Sequence, residues 1–250
     1  MYGDRSQFTL IAKYYDALMA GVPYRQWVAY IEGILDRINY RPTTVLDLAC
    51  GTGNVSELLA HRGYKVVGVD ISPEMIEVAK SKGSKVEYIV QDITELDLGR
   101  NFDLAVCLFD SLNYITEPTK VAQAFKKVGK HLVPGGVLIF DVNTVYALQH
   151  KFFDQANLNP AANPRYVWTS EYDHQTRLCR IDMLFEVDDE QGEPHQFKEV
   201  HYQRGHTIEE LTQWLIDAGF EIVDIFHAYR FRKPTRRSDR VFFVARKPVN

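Results

Sequence analysis

The stretch VLDLACGTGNVSELL, residues 45–59, has the pattern of a buried strand, a glycine turn and the start of a helix. Its turn contains Gly51 and Gly53, but Ser56 stands where the dinucleotide-binding fingerprint has a third glycine. Asp47 precedes the turn and would lie beside the pyrophosphate of a dinucleotide, where like charges in a partly dry cleft repel each other. The stretch therefore indicates a site for a ligand that carries positive charge.

Short apolar runs alternate with amphipathic stretches around this turn. The predicted strands are 43–48, 65–70, 85–90, 102–109 and 136–142. The predicted helices between them are 54–62, 73–82 and 118–132. Near-continuous apolar strands separated by helices are typical of a parallel sheet that is covered on both faces. We therefore predict a doubly wound, Rossmann-like α/β fold, which binds its ligands beyond the carboxyl ends of the strands.

After residue 150 the pattern changes to alternation of apolar and polar residues. The alternating segments are 165–174, 176–188 and 195–206, with apolar residues at every second position from 181 to 187. This period of two predicts an antiparallel sheet, inserted after the fifth strand of the main sheet. A helix at 207–218 and strands at 220–228 and 240–247 then complete a mostly parallel sheet of seven strands.

This organisation predicts two units. Residues 1–150 and 207–250 form a cofactor-binding core, in which residues 1–40 are a helical lid with helices at about 7–20 and 24–39. Residues 151–206 form an antiparallel β subdomain that we expect to enclose the substrate.

The composition is that of a globular protein and disfavours several classes of function. Of the 250 residues, 46% are hydrophobic and 25% charged, which argues against long disorder. The net charge of −4 gives no basic field that would attract nucleic acid or an anionic membrane. Cys50, Cys107 and Cys179 are too few and too scattered for a disulfide framework or a zinc site. We expect a cytoplasmic protein, monomeric or homodimeric, with no membrane or nucleic-acid partner.

Acidic residues end three successive predicted strands, at Asp47, Asp70 and Asp92. Asp70 follows Gly51 by 19 positions and can bind both hydroxyls of a ribose, whereas Asp92 can accept a hydrogen bond from an adenine amine. A pyrophosphate does not explain this pattern. S-adenosylmethionine does, because it combines an adenosine with positive charges on its α-ammonium and sulfonium groups. Met75 can lie against the face of the adenine.

The chain resembles the class I S-adenosylmethionine-dependent methyltransferases through five segments in the same order. They are VLDLACGTGN (45–54), VVGVDISPEM (66–75), QDI (91–93), FDLAVCLFDSLNYI (102–115) and LVPGGVLIFDVN (132–143). The closing pair of strands in that family matches 220–247. The resemblance implies cofactor contacts for Asp47, Ala49, Gly51, Asp70, Ile71, Met75, Gln91, Asp92, Ile93 and Leu108.

The flanking regions are similar to small-molecule N-methyltransferases. The segment FTLIAKYYDALMAGVPYRQW (8–27) resembles the N-terminal cofactor lid of glycine N-methyltransferase. The segment EVHYQRGHTIEELTQWLIDAGF (199–220) resembles the end of the inserted sheet in that enzyme and in the aminosugar N-methyltransferases. Such a lid would place Tyr15 and Trp27 over the cofactor. Ordinary helix packing is the alternative, because aromatic residues at helical spacing usually belong to a core.

The methyl acceptor is expected beyond the fourth strand, so Asp110, Asn113 and Tyr114 are candidate catalytic residues. Asp110 or Asn113 could accept a hydrogen bond from an amine, and Tyr114 could form a wall of the site. A capped loop turn with a packed tyrosine is the alternative. The inserted sheet adds His201 as a candidate base, on the same side of its strand as Glu199. A core or solvent-facing histidine is the alternative there.

Three other interpretations stay open. Oxygen ligands at Asp110, Asp141 and Asn143 would suit Mg²⁺, as in catechol-type O-methyltransferases, although we predict no metal site. The basic segment YRFRKPTRRSDR (229–240) would suit an RNA or protein substrate, although the net charge opposes this. A non-catalytic regulator that binds the cofactor would carry the same motifs. The leading prediction is transfer of a methyl group from S-adenosylmethionine to a small molecule, at an amine nitrogen, by in-line displacement.

Overall fold

The computed structural model describes residues 7–188 and 191–249. The strands are β1 (Thr44–Leu48), β2 (Lys65–Asp70), β3 (Glu87–Val90), β4 (Phe102–Cys107), β5 (Leu132–Asn143), β6 (Gln155–Asn157), β7 (Arg165–Tyr172), β8 (Leu178–Asp188), β9 (Pro194–Arg204), β10 (Glu221–His227) and β11 (Arg240–Arg246). The α-helices are α1 (Tyr15–Leu18), α2 (Tyr24–Arg37), α3 (Asn54–His61), α4 (Pro73–Ser81), α5 (Pro118–Lys130), α6 (Val145–Gln149) and α7 (Ile208–Asp217). Among these described helices, none is long and apolar enough to span a bilayer.

The main sheet has seven strands in the order β10-β11-β5-β4-β1-β2-β3. The neighbours pair in parallel except at β11, which is antiparallel to both β10 and β5. The chain passes outward from β1 through β2 to β3 and then returns to β4 on the other side of β1. This reversal creates a switch point between β1 and β4, which is where open α/β sheets bind ligands.

Helices cover both faces of this sheet, as the near-continuous apolar strands predict. On one face α5 and α7 pack against the strands, with Phe125 and Leu215 in the core. On the other face α2 and α3 pack against them, with Ile31 and Leu59 in the core. Each such buried side chain contributes about 1.5–3 kcal/mol relative to exposure, so the two apolar layers hold the sheet rigidly under the site.

The inserted sheet has four antiparallel strands in the order β6-β7-β8-β9. It follows β5 and returns to the main sheet through α7, which begins with the capping box of Thr207 and Glu210. The predicted alternation in β8 is confirmed, since Ile181, Met183, Phe185 and Val187 are all buried. The predicted doubly wound fold with an inserted antiparallel sheet is therefore confirmed.

Two short elements, β6 and α6, were not predicted. Strand β6 has only the three residues of Gln155–Asn157, without apolar alternation, and is defined by its pairing with β7. Helix α6 has five residues after a cap at Thr144, which is too short to show a period of 3.6. Elements of this length depend on tertiary contacts rather than on a local pattern.

The N-terminal segment differs from the helix predicted at 7–20. Only Ala12–Leu18 is helical, as a 3₁₀ turn followed by α1. Before it, the buried carboxylate of Glu199 accepts three backbone hydrogen bonds, from Phe8 at 3.1 Å, Leu10 at 2.8 Å and Ile11 at 3.1 Å. A longer helix is absent from residues 7–11 because a side chain of the inserted sheet takes these amides.

Candidate active site

A cavity of about 700 Å³ lies at the switch point of the main sheet. The carboxyl ends of β1, β2 and β4 form its base, and the N-terminal segment and the inserted sheet contribute other walls. Most of the predicted site residues line it: Tyr15, Trp27, Asp47, Ala49, Gly51, Asp70, Ile71, Met75, Asp92, Ile93, Leu108, Asp110, Tyr114 and His201. Residues far apart in the chain are thus brought together around one cavity.

The turn after β1 has a backbone that brings the chain close to the cavity. Ala49 and Gly51 have positive φ angles of 54° and 55°, and Gly53 has a φ of 81°. A Cβ atom at Gly53 would lie 2.3 Å from the hydroxyl oxygen of Tyr88. Only glycine combines that backbone with that space, which explains the second glycine of the turn.

Asp47 lies at the end of β1 and is buried. Its Oδ2 accepts a hydrogen bond of 2.5 Å from the hydroxyl of Ser56. Burial raises the pKa of Asp47 to about 7, helped by the nearby charge of Asp70 and opposed by the Ser56 bond. A cation placed beside such a carboxyl group favours its ionised form. Asp47 is therefore suited to an ammonium group.

Asp70 and Asp92 reach the same cavity from the ends of β2 and β3. Asp70 accepts from the amides of Gly51 at 2.8 Å and Ser72 at 2.9 Å, and Asp92 accepts from the amide of Thr94 at 2.8 Å. Each carboxylate keeps lone pairs for hydroxyl or amine donors. Apolar lining comes from Ile71, Met75, Ile93 and Leu108. These carboxylate acceptors and the apolar lining fit the ribose, adenine and cationic groups of S-adenosylmethionine.

Asp16 ties α1 to the turn after β1. Its carboxylate accepts from the Thr52 hydroxyl at 2.6 Å and the Asn54 amide at 2.9 Å, and pairs with Lys82 at 2.8 Å. Burial raises the pKa of Asp16, but the bonds from Lys82, Thr52 and Asn54 outweigh it and the net pKa is lowered. The ionised carboxylate thus joins the N-terminal segment to two cofactor-side elements, the β1 turn and α4.

Tyr15 and Trp27 face the cavity from this N-terminal region. Trp27 also stacks on Tyr229, with ring centroids 5.6 Å apart, and lies 5.0 Å from the ring of Phe109. Trp27 therefore both lines the cavity and packs against other aromatic rings, two roles that we treated as alternatives. Burial raises the pKa of Tyr15 well above its ordinary value, so this phenol stays neutral.

Asp141 and Arg240 hold the loop that follows β4. Phe109 and Asp110 have positive φ angles of 66° and 50°, and their amides donate to the Asp141 carboxylate at 2.7 and 3.0 Å. Arg240 donates to Asp141 and, at 2.5 Å, to Asp110. Gln203 donates to the other oxygen of Asp110 at 2.5 Å. Asp110 therefore lines the cavity as part of an ion-pair network and does not present a free carboxylate.

The same network bears on two of the three interpretations left open above, the metal site and the basic segment. A guanidinium group lies between the carboxylates of Asp110 and Asp141, where a Mg²⁺ ion would have to bind. Within the described ranges, 7–188 and 191–249, no three His, Cys, Asp or Glu side chains are grouped to hold a metal ion. Arg240 is the last residue of the basic segment 229–240, and its charge is already paired with Asp110 and Asp141. Lys233 of that segment pairs with Asp224 at 2.5 Å. The segment is a weaker anion site than its sequence suggests.

Tyr114, His201 and Glu199 form a hydrogen-bonded chain beside the cavity. The Tyr114 hydroxyl lies 3.2 Å from Nδ1 of His201, and Nε2 of His201 lies 2.8 Å from Oε2 of Glu199. Glu199 also accepts hydrogen bonds from three backbone amides, and we assign the histidine proton to Nε2 because an acceptor oxygen faces that nitrogen. Nδ1 is then the acceptor for Tyr114. Burial raises the pKa of Tyr114, which keeps the phenol neutral.

Two predicted residues are placed elsewhere. The Asn113 side chain is fully buried, where it donates to the carbonyls of Asn143 and Arg204 at 3.0 and 2.9 Å and accepts from the Asn143 amide at 2.9 Å. Its polar atoms bind backbone groups, and Asn113 is not among the cavity residues. Gln91 donates to the carbonyl of Asp97 and is likewise not among the cavity residues.

Several residues that shape the site were missed. Alternation places Glu199 and Gln203 on the side of His201 in β9, but it did not predict their partners, the N-terminal amides for Glu199 and Asp110 for Gln203. Ser56 was noticed only as an absent glycine. Asp16 and Arg240 carry no local signal, because their partners lie 36 or more positions away in the sequence.

Comparison with known proteins assigns the chain to a family. Residues 45–136 match the model of a methyltransferase domain. The chain is 34% identical over 241 residues to YqeM of Bacillus subtilis (strain 168), provisionally named a methyltransferase, with 94% of this chain and 95% of that protein covered. A solved S-adenosylmethionine-dependent methyltransferase from Clostridium acetobutylicum ATCC 824 is 30% identical, with a TM-score of 0.84 over 96% of this chain and 99% of that one. The chain belongs to the class I S-adenosylmethionine-dependent methyltransferases.

This methyltransferase also resembles enzymes that act on aminosugars. It is 28% identical over 214 residues to the dTDP-4-amino-2,3,4,6-tetradeoxy-D-glucose N,N-dimethyltransferase of Saccharopolyspora spinosa, with 83% of this chain and 84% of that enzyme covered. The predicted family, its likeness to aminosugar N-methyltransferases and the cofactor S-adenosylmethionine are thereby confirmed.

Proposed function

We propose that this methyltransferase methylates a small molecule at an amine nitrogen, and that Tyr114 and His201 take up the proton that the nitrogen loses. The observation that carries the proposal is the chain from Tyr114 through His201 to Glu199 at the wall of the cavity. The named activity of the Saccharopolyspora relative supports nitrogen as the acceptor atom. In this proposal residues 1–150 and 207–250 form the cofactor-binding core and 151–206 the acceptor chamber.

The proposed cofactor contacts follow from the geometry of the three strand ends. Asp47 would pair with the α-ammonium group, Asp70 with the ribose hydroxyls and Asp92 with the adenine amine. When bound, S-adenosylmethionine supplies a methyl group that is activated for transfer by the positive charge on its sulfur. The remaining contribution of the protein is to align the acceptor and exclude water, which can be worth an effective concentration of about 10⁵ M or more.

The proton of the acceptor has a defined route. As the N–CH₃ bond forms and the S–CH₃ bond breaks, the nitrogen must lose one proton to leave a neutral product and S-adenosylhomocysteine. The Tyr114 oxygen can accept a hydrogen bond from the N–H group of the acceptor, because the hydrogen of the Tyr114 hydroxyl points to Nδ1 of His201. His201 then receives the tyrosine proton on Nδ1, and the carboxylate of Glu199 stabilises the resulting imidazolium.

A radiolabelled methyl-transfer screen over amines, aminosugars and phenols, with a metal chelator present, tests the function. We expect turnover with an amine, and a loss of about 100-fold in kcat for Tyr114→Phe and for His201→Asn, the scale of general acid–base catalysis. Both variants should bind S-adenosylhomocysteine as the natural protein does in calorimetry. Tyr64→Phe, which lies outside the cavity, is the matched control. Turnover of phenols alone, or binding of S-adenosylhomocysteine without turnover over the whole screen, would refute the proposal.

A further inference from the structure

The wall that the inserted sheet gives to the cavity is aromatic. The register aligns Trp168 of β7 with Met183 of β8, and Tyr166 with Phe185, so these four side chains share the inner face of the sheet. All four line the cavity, and Phe153 from the segment before β6 joins them. Rings in this arrangement present flat apolar surfaces, which favour stacking against another ring.

The same wall carries little charge. From described residues 151–204, the cavity has no Lys, Arg, Asp or Glu side chain among its lining, and its polar members are Gln155 and His201 with the tyrosine and tryptophan. Elsewhere the described lining has two cations, Lys120 and Arg240. Arg240 is engaged by two buried carboxylates, and Lys120 is an exposed residue of α5. A diphosphate would need charge-assisted donors that this wall does not offer.

One donor in the aromatic wall has no partner among residues 7–188 and 191–249. It is the indole Nε1–H of Trp168, which is buried although Trp168 lines the cavity. Leaving such a group unsatisfied costs about 1–3 kcal/mol, so a ligand atom that accepts its hydrogen bond would be favoured. The lining therefore favours a ligand ring that carries an oxygen or nitrogen atom able to accept a hydrogen bond from Trp168.

We propose that the methyl acceptor is an uncharged aromatic amine with a hydrogen-bond acceptor on its ring, rather than a nucleotide-linked aminosugar. The inference rests on the proposed function and names its substrate class. An aromatic amine is unprotonated near neutral pH, so its nitrogen keeps the electron pair that attacks the methyl group. The aromatic wall holds the ring, Trp168 donates to the ring substituent, and Tyr114 faces the nitrogen.

Calorimetry on the full-length protein saturated with S-adenosylhomocysteine tests the inference at pH 8. The probes are 4-methoxyaniline, 4-methylaniline, which lacks the ring oxygen, and dTDP. We expect both anilines to bind, the methoxy compound more tightly, and dTDP to bind at least tenfold more weakly than either. Trp168→Phe keeps an aromatic ring. It should weaken the binding of 4-methoxyaniline about 3- to 10-fold and leave the binding of 4-methylaniline unchanged. Trp214→Phe, on α7 outside the cavity, should change neither.

The inference would be overturned if dTDP bound more tightly than the anilines or if neither aniline bound. It would also be overturned if Trp168→Phe lowered the affinity for both anilines equally. Its failure is distinct from failure of the proposed function. Turnover of an aliphatic amine or an aminosugar in the methyl-transfer screen would refute the aromatic class and leave nitrogen methylation standing, whereas the absence of any amine turnover would refute both.

Discussion

The hydroxyl of Ser56 donates a hydrogen bond of 2.5 Å to the carboxylate of Asp47, across the turn that links β1 to α3. Ser56 occupies the position where a dinucleotide-binding turn has its third glycine. In this protein the position does not bring two backbones together but holds an acid at the end of β1. The departure from the dinucleotide pattern and the carboxylate before the turn are therefore parts of one arrangement.

Binding of S-adenosylhomocysteine should become tighter as the pH rises from 6 to 8. Asp47 has a pKa of about 7 in the free protein and must ionise to pair with the ammonium group. The gain is about tenfold over this interval, because the ionised fraction rises by about that factor. Calorimetry over this range measures it. Asp47→Asn should bind more weakly and show a flat profile, and a natural protein with no pH dependence would contradict the assignment.

The contribution of Asp47 to the free energy of unfolding decreases as the pH rises, whereas its contribution to cofactor binding increases. Its folded pKa lies above the ordinary value of 3.8, so the folded state binds the proton more tightly than the unfolded state does. This contribution to the free energy of unfolding is fully present below pH 3.8 and is lost as the pH rises through about 7. Urea unfolding of Asp47→Asn against the natural protein should therefore show a difference that favours the variant more at pH 8 than at pH 5.

Asp70→Ala should weaken S-adenosylhomocysteine binding by about 1.5–3 kcal/mol, the value of a hydrogen bond to a charged group. The change removes the proposed ribose partner and also leaves the Gly51 amide, now bonded at 2.8 Å, without its acceptor. Asp97→Ala, an exposed acid in the same region, is the control. An affinity equal to that of the natural protein would mean that the end of β2 does not contact the cofactor.

Arg240→Met should lower the free energy of unfolding by about 3–5 kcal/mol, because it leaves two buried carboxylates without their cation. Asp141 would also lose the charge that helps it to hold the strained backbone of Phe109 and Asp110. Urea denaturation gives the value, with exposed Arg237→Met as the control. A loss below about 1 kcal/mol would show that the network is not a structural element of the loop.

Asp16→Asn should release S-adenosylhomocysteine about tenfold faster, because the ion pair between Asp16 of α1 and Lys82 at the end of α4 is lost. Asn can still accept from Thr52 or Asn54, but its pairing with Lys82 is removed. Stopped-flow displacement measures the rate. Asp36→Asn, which removes an exposed pair with Arg41, should have no effect. An unchanged rate in Asp16→Asn would mean that α1 does not restrain cofactor exchange.

The strands and helices of the core could be predicted because their signals are local. Ser72 caps α4 and Pro73 begins it, and the apolar runs of β1 and β2 match buried strands. The acids that end β1, β2 and β3 follow from the same pattern, since parallel strands end at one edge of a sheet. Asn113 shows the limit, because its residue type and position suit a ligand contact while its amide binds three backbone groups.

The sequence by itself determined the α/β core and the inserted antiparallel sheet, because hydrophobic periodicity and glycine turns act over a few residues. Its ordered motifs also carried the resemblance that indicated the family and the cofactor. Only the tertiary structure decided which polar groups pair. Glu199 reaches the amide of Phe8 across 191 positions, and Arg240 reaches Asp141 across 99. No sequence spacing reveals such partners. A buried charge must be paired or hydrogen-bonded, and its partner can come from any part of the chain that the fold brings close.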